Sequence, residues 1–544
     1  MRDFFKIIFF FAVFSASVVC ANERLGMNAH LVFDCSINFA NELCVSMKDA
    51  GVQIVRLDVY WTEKDWLQQK KALDKACFYA DKNGLKILLS IPQIPEKMDS
   101  TYIERWLEML SYYAERYDGK KAISIDDEFE SRFVKVDFFE LMNEPDLKIE
   151  KLKMDVPVFY SLMRKASERI KLVREDAKIV MPGLTNTNHY TKDFLQYRSV
   201  DGKSLADIVD VTNLHFYNDD QKKYIAFLDE WLDLIRKNRL GEKRHWVTEC
   251  GASLWEYSQL DQAKLLPKQN IVVLSKGFDK VFYYQFHAFG GNRAPGIHHQ
   301  RQNYYGIIGP SVSNSYGSFY VNDGEFRTAI TSGDASKRIY LRKQNKDNFM
   351  LYSHSKTTLW RLKTKGVAIG GRGYTLKSVS LLHKDGLETE LWKGMLKIDE
   401  EEKTFLKLPA TSFWGMDKKD KICVRVDSVA DLEERWTGLD PWLAYNAYKA
   451  LSFYYTPNSS VPQIEKTKIS KLNIYSWISP ERGKVWAVWA DDGEKIKIQV
   501  ATNGDTLNIV DHFGNKVVNR DNELEITDAL VYISGTSVLN VRRI

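Results

Sequence analysis

Cysteine is scarce in this chain, with six in 544 residues. Cys20 lies in the first 21 residues, and Cys35, Cys44, Cys77, Cys250 and Cys423 are widely scattered. An odd, dispersed set does not describe a disulfide scaffold, so most should be buried thiols, a Cys35–Cys44 pair being the weaker reading. No block of Lys or Arg stands out and the formal charge is only +5, so there is no electrostatic footprint for nucleic acid. Beyond residue 21 no apolar run reaches the roughly 18 residues of a membrane-spanning helix. No glycine-rich phosphate loop follows the first strand, which argues against a dinucleotide-binding sheet. No zinc or calcium motif is visible, and His298-His299 is too isolated to suggest one. Neither a metal nor a cofactor is expected.

Aromatic residues are plentiful, with 14 Trp, 27 Tyr and 28 Phe. That load suits a large core, and also rings that stack on sugar faces. The first 21 residues have the order of a secretory leader. Arg2 and Lys6 precede an apolar run from Ile7 to Val19, and Val19 and Ala21 fit a cleavage before Asn22. A secreted or periplasmic protein is expected. A lipid anchor on Cys20 is the minor alternative, because Val19 is bulky for a lipobox.

From Leu25 to Tyr454 a βα rhythm recurs. Strands are expected at 25–29, 52–59, 86–91, 134–144, 178–181, 208–214, 245–248 and 280–286, with amphipathic helices between them. Eight strands separated by helices close most naturally as a parallel TIM (β/α)8 barrel. After Gly309 the pattern changes to short alternating runs, which read as all-β. One late helix, beginning at Pro441, returns where the barrel lacks its eighth. The expected organisation is a leader over 1–21 and a catalytic barrel over 22–316, completed by a helix within 436–456. An inserted β-sandwich-like domain spans 317–435 and a C-terminal β-sandwich 462–544. Trp360, Trp392 and Trp414 of the insertion read better as core than as a sugar platform.

Residues 134–146 carry the sharpest chemistry. A β-branched and aromatic run ends on Asn143-Glu144-Pro145. Pro145 cannot continue a ladder, so Glu144 should stand at the C-terminal tip of strand four. Thr248-Glu249 ends strand seven. Barrel closure brings both carboxylates to one mouth, and paired carboxylates across a cleft are the machinery of glycosidic hydrolysis. Arg56, His215 and Tyr217 stand on neighbouring strand ends. Asn28, Trp61 and, more weakly, Asn186 are further candidates for sugar contacts.

Asn143-Glu144-Pro145 ending strand four and Thr248-Glu249 ending strand seven resemble the signature of clan A glycoside hydrolases. The stretches 138–147 and 214–217 look most like the β-xylosidase and α-L-iduronidase branch, with cellulase-like members second. The resemblance covers 25–310 and 436–456. It implies hydrolysis of β-type (or stereochemically equivalent) glycosides of a poly- or oligosaccharide with net retention. By that resemblance Glu144 is the acid/base, Glu249 is the nucleophile, Asn143 bonds the sugar 2-hydroxyl, Arg56 lies beneath the nucleophile, and His215 or Tyr217 orients it. One departure stands out. Clan members often end strand eight on a tryptophan, whereas here the stretch is Tyr283-Tyr284-Gln285-Phe286-His287. Alternation points Tyr283, Gln285 and His287 the same way; either His287 or Phe289 replaces that platform, or the subsite differs. A second reading, a non-catalytic carbohydrate-binding protein on a degenerate barrel, requires one of the glutamates to be misplaced.

Overall fold

The structure is a computed structural model. It describes residues 23–544, apart from 33–38, 60–65, 92–98, 148–154, 219, 255–256, 288–305, 313–317, 323–326, 330–338, 346–347, 354–361, 364–365, 373, 399–405, 418–419, 429–435, 502–505, 519–521 and 536–538. The leader with Cys20, and Cys35, Trp61, Phe289, His298-His299 and Trp360, lie outside the described residues. Cys44, Cys77, Cys250 and Cys423 are buried free thiols.

Eight strands close a barrel in sequence order: β1 (Leu25–Asn28), β2 (Ile54–Asp58), β3 (Lys86–Ile91), β4 (Phe138–Leu141), β5 (Lys178–Val180), β6 (Val211–Phe216), β7 (Arg244–Cys250) and β8 (Lys280–Tyr283). Every neighbouring pair is parallel. The intervening helices are α1 (Ala40–Asp49), α2 (Trp66–Lys82), α3 (Ser100–Arg116), α4 (Val156–Val173), α5 (His189–Gln196), α6 (Gln221–Lys237) and α7 (Gln259–Ser275). Their starts are set locally. Asp99, Asp155 and Asp220 accept from first-turn amides, and Ser258 forms a reciprocal capping box with Asp261.

The expected strand from residue 134 is shorter. Val134–Val136 instead run antiparallel to the chain leaving α3, with Gly119 N–H donating to the Val134 carbonyl and Val136 N–H to the Tyr117 carbonyl. That pairing uses the backbone groups a longer barrel strand would need, so β4 begins at Phe138.

After β8, residues Ile308–Val312 pair antiparallel with Trp436–Pro441. The chain leaves the barrel and returns along one ribbon. The start of the expected helix segment, 436–441, is therefore strand; the helix itself is α8 (Leu443–Tyr454). It packs on the barrel beside α1 and α7. Tyr445 Oη donates to the Ser46 carbonyl and to Asp49, Tyr448 Oη to the Gly26 carbonyl, and Ser452 Oγ to the Ala50 carbonyl. Gly51, in the left-handed region at φ +83°, leaves the space that Ser452 fills: a Cβ there would lie 2.2 Å from its Oγ.

Between the ribbon strands, a four-stranded and a five-stranded antiparallel sheet enclose a core that includes Ile369, Leu376, Val379, Phe413 and Val424. Trp392 is half-buried against that core, whereas Trp414 is exposed, its Nε1–H donating to the Lys363 carbonyl. Beyond α8, a five-stranded and a three-stranded sheet form a second sandwich. Its strand Gly483–Ala490 is apolar on both faces. Trp486 and Val488 fill the sandwich, while Val485, Ala487 and Trp489 join the barrel core.

The inside of the barrel has two layers. Towards the N-terminal ends of the strands lie Ile54, Leu88, Phe138, Val180, Val211, Trp246 and Phe282, all buried or nearly so. Gly26 contributes no side chain here because a Cβ would meet the Phe282 ring at 2.4 Å. Two residues further along the strands the interior turns polar: Asn28, Arg56, Ser90, Glu140, Asn213 and Thr248 are 0–2% exposed.

Candidate active site

Arg56 organises the polar layer. Nε and Nη2 grip Glu140 at 2.7 and 2.9 Å, Nη1 donates to Asn28 Oδ1 and Glu249 Oε1 at 2.8 Å each, and Nη2 reaches Asn143 Oδ1 at 3.0 Å. All five N–H donors of the guanidinium thus have an acceptor. Burial works against the charge, but Glu140, Glu249 and Asp58 outweigh it and hold Arg56 firmly cationic. Burial likewise opposes ionisation of Glu140, yet Arg56 and His215 bring its carboxyl below the ordinary value.

Glu249 sits on a bulge. The β6–β7 register passes from Leu214↔Val247 directly to His215↔Glu249, so Thr248 is the extra residue. A bulge re-aims side chains, and here Thr248 and Glu249 both serve the interior. Tyr217 Oη donates to Glu249 Oε2 at 2.6 Å, opposite the Arg56 contact on Oε1. Of the two side chains expected to orient this glutamate, Tyr217 makes the direct bond. Burial pushes the Glu249 carboxyl up, His215 and Arg56 pull it down, Glu144 adds to the rise, and the net direction is upward.

Glu144 stands just past β4 in a strained backbone. Met142 and Glu144 have φ of +66° and +49°. A non-glycine residue there costs about 1–3 kcal/mol. The bend is held by Met142 N–H on the Ile91 carbonyl and Glu144 N–H on the Gly183 carbonyl. The Glu144 side chain is 20% exposed against 9% for Glu249, which places it nearer the open mouth. His215 Nδ1 lies 3.1 Å from Glu144 Oε1, and Nε2 lies 2.8 Å from Thr248 Oγ1. Burial would lower the His215 pKa, but Glu249, Glu140 and Glu144 push it up to about 10. As an imidazolium it donates through both nitrogens. Its ring fits because residue 183 is glycine; a Cβ there would lie 1.9 Å from Nε2.

The remaining expected residues divide. Asn28 is buried, its amide nitrogen donating to the Thr248 carbonyl and its oxygen held by Arg56. Asn143 is half-buried, with its oxygen turned to Arg56. Asn186 stands apart with Thr185 on Asp146, its Nδ2 donating to Oδ2 at 2.7 Å. Gln285 and His287 are 1% exposed, and burial holds the His287 ring neutral with its pKa lowered to about 3. The Tyr284–Gln285 peptide is cis.

Several residues of the site were not expected. Glu140 was readable as an acid inside an apolar strand. Tyr284 carries no such signal, because alternation along the strand faces its neighbours Tyr283 and Gln285 the other way. Its hydroxyl lies 3.0 Å from His30 Nε2 and its ring stands edge-on to Tyr217 at 6.1 Å. His30 Nδ1 in turn lies 2.5 Å from Asp58 Oδ2. Asn213 lies one residue before Leu214 and brackets Thr248 from both sides.

Glu144, His215 and Glu249 each present one ligand-type atom, all within 4.8 Å of one another. The cationic Arg56 on Glu249 and the imidazolium between the carboxylates make this a poor cation site. What the arrangement offers is two neighbouring carboxyl groups of unequal exposure, one tied to a guanidinium and a phenol, the other to an imidazole.

Residues 118–283, which contain both glutamates, match the family model described as glycosyl hydrolase catalytic core. A family 39 glycoside hydrolase from the gut symbiont Bacteroides cellulosilyticus WH2 superposes with a TM-score of 0.54 at 12% identity, over 95% of this chain and 81% of that one. A monomeric beta-xylosidase from Caulobacter crescentus CB15 is also similar, at TM-score 0.39 and 12% identity, over 75% of this chain and 96% of its own. At such identities the likeness is one of fold. No curated protein matches the chain in sequence. Barrel and matched core together define the class: the protein is a glycoside hydrolase. Its barrel is of the TIM (β/α)8 type.

Proposed function

We propose that the protein hydrolyses β-type O-glycosidic bonds of an oligo- or polysaccharide outside the cytoplasm, with net retention. The observation that carries this reading is the approach of Glu144 and Glu249, with an oxygen of each within 4.8 Å. Retaining glycosidases hold their carboxyl groups about 5–5.5 Å apart, whereas inverting ones leave about 6.5–9.5 Å for a water. Glu249, ionised by Arg56 and Tyr217, attacks the anomeric carbon. Glu144 protonates the departing oxygen as the glycosidic bond breaks. Water then attacks the glycosyl-enzyme, Glu144 takes its proton, and Glu249 leaves. The proton for the first step is held on the His215–Glu144 pair. Transfer along that 3.1 Å bond leaves the imidazole as the Nε2–H tautomer that Thr248 already accepts. The leader pattern of the first 21 residues supports export.

The test is a panel of aryl glycosides and plant, algal and microbial polysaccharides, with the first-released anomer followed by proton NMR. Release of the anomer of the substrate is expected. Release of the opposite anomer would contradict the reading.

A further inference from the structure

The C-terminal sandwich touches the barrel at a chemically pointed place. Strand Gly483–Ala490 turns Val485, Ala487 and Trp489 towards the barrel helices, and α7 beyond its exposed first turn is largely buried from Gln262 to Leu274. Several polar contacts cross this interface, Lys264 on Asp528 and Lys268 on Asp492 among them, and two end on Gln221 in the segment that follows Tyr217. Gln221, the first residue of α6, is held at both ends of its amide. Trp489 Nε1 donates to its Oε1 at 2.9 Å, and its Nε2 donates to Asn473 Oδ1 at 3.1 Å. Asn473 is turned for that role by its own bond to Asp491 Oδ1 at 3.0 Å, and the Trp489 ring is stacked flat on Tyr475 at 5.0 Å. From the buried side, Gln269 Nε2 donates to the Asn218 carbonyl at 3.0 Å.

Tyr217 lies one residue past the end of β6 and is 40% exposed, with Tyr284 edge-on to its ring at 6.1 Å. Yet its hydroxyl must stay on Glu249 Oε2 at 2.6 Å. We infer that the sandwich is part of the catalytic apparatus at one remove: Trp489 and Asn473, acting through Gln221, are positioning residues that hold the Tyr217 loop and so the donor on Glu249. This rests on the reading of Glu249 as nucleophile.

The test uses the full chain and an aryl glycoside that it turns over. Gln221→Ala should lower kcat about tenfold with little change in KM, since small misplacements at a reacting centre are costly. It should also move the acidic limb of the pH profile upward, because a carboxylate that loses a hydrogen-bond donor is harder to ionise. Trp489→Phe keeps the ring and removes the N–H, and should act in the same direction but less. Tyr217→Phe should cost more than either. The decisive arm is the double variant, in which Gln221→Ala should add nothing once the Tyr217 hydroxyl is gone. Lys471→Ala, in an exposed ion pair of the same sandwich, is the control without effect. Losses that multiply in the double variant, or a Gln221→Ala that lowers Tm while leaving kcat and the pH limb unmoved, would overturn the inference. Glu249→Ala run alongside separates the two readings, since unchanged activity there refutes the nucleophile itself. A carbon-13 NMR titration of Glu249 in the Gln221→Ala chain gives a readout independent of turnover. An upward shift is expected, and no shift overturns the coupling.

Discussion

The two layers inside the barrel are carried by the same strands, two residues apart, and they behave as different materials. On β2, Ile54 lies in the lower layer and Arg56 in the upper; on β4, Phe138 and then Glu140; on β7, Trp246 and then Thr248. The lower layer is stabilised by burial of apolar area and by ring contacts such as Phe138–Trp246 at 4.7 Å. The upper layer buries a guanidinium, an imidazolium and two glutamates, which is tolerable only because each has its partners. One layer supplies stability, and the other holds charges in fixed directions at the mouth. The difference is testable because a change in either layer should leave the other's property largely alone.

The largest expected effect on stability is in the lower layer. Trp246→Ala removes a fully buried indole from the barrel floor and should destabilise by about 3–5 kcal/mol, measured by denaturant unfolding. Rate per folded molecule should stay within a few-fold of wild type. A tenfold fall in kcat with unchanged stability would reverse the comparison. Next comes Gly183→Ala, where the added methyl meets the His215 ring. The imidazole must leave both Glu144 and Thr248, and kcat/KM should fall about 10- to 100-fold. Gly415→Ala, with open space at its Cβ, is the matched control and should change neither activity nor Tm.

The smallest effect is in pH dependence, where activity and stability should run in opposite directions. The raised Glu249 carboxyl places the acidic limb of kcat/KM above the ordinary glutamate value of 4.5, so activity rises with pH through that limb. Stability goes the other way. His215, raised from 6.5 to about 10, contributes stability that is fully present below pH 6.5 and lost as pH climbs towards 10. A carboxyl raised by burial also holds its proton more tightly folded than unfolded, which again lowers stability as pH rises. Thermal melts across pH 6–10 beside a pH–rate profile check both signs.

Much of this site was legible in the sequence. Pro145 ended a strand at Glu144, Thr248-Glu249 ended another, and a βα rhythm of the right count put both at one mouth. Arg56 and Tyr217 were legible for the same reason, as polar residues where apolar strands finish. Glu140 was passed over because its meaning depends on Arg56, 84 residues away, and a lone acid in Phe-Phe-Glu-Leu names no partner. Tyr284 is not legible because it lies just past the end of β8, where regular strand geometry and its alternation stop. The bulge at Thr248 has no local signature either, since the irregularity belongs to the pairing of two strands and not to one. The short β4 and the ribbon at Trp436–Pro441 have the same cause: pairing with distant residues decided what local propensity left open.

The division of labour between Glu249 and Glu144 is the centre of the account, and azide rescue of two variants tests it most directly. Glu249→Ala should lose turnover by about 10⁴-fold or more. Glu144→Ala, given a β-linked aryl glycoside with a good leaving group, should still form the glycosyl-enzyme and then stall for want of a base. Azide, an anion that needs no base, should restart Glu144→Ala and yield the β-glycosyl azide after two inversions. On Glu249→Ala it can enter only from the vacated face and should yield the α-azide. The measurement is the anomeric configuration of each azide product by proton NMR. The account predicts β from Glu144→Ala and α from Glu249→Ala; the two outcomes exchanged, or near-normal activity in Glu249→Ala, would contradict it.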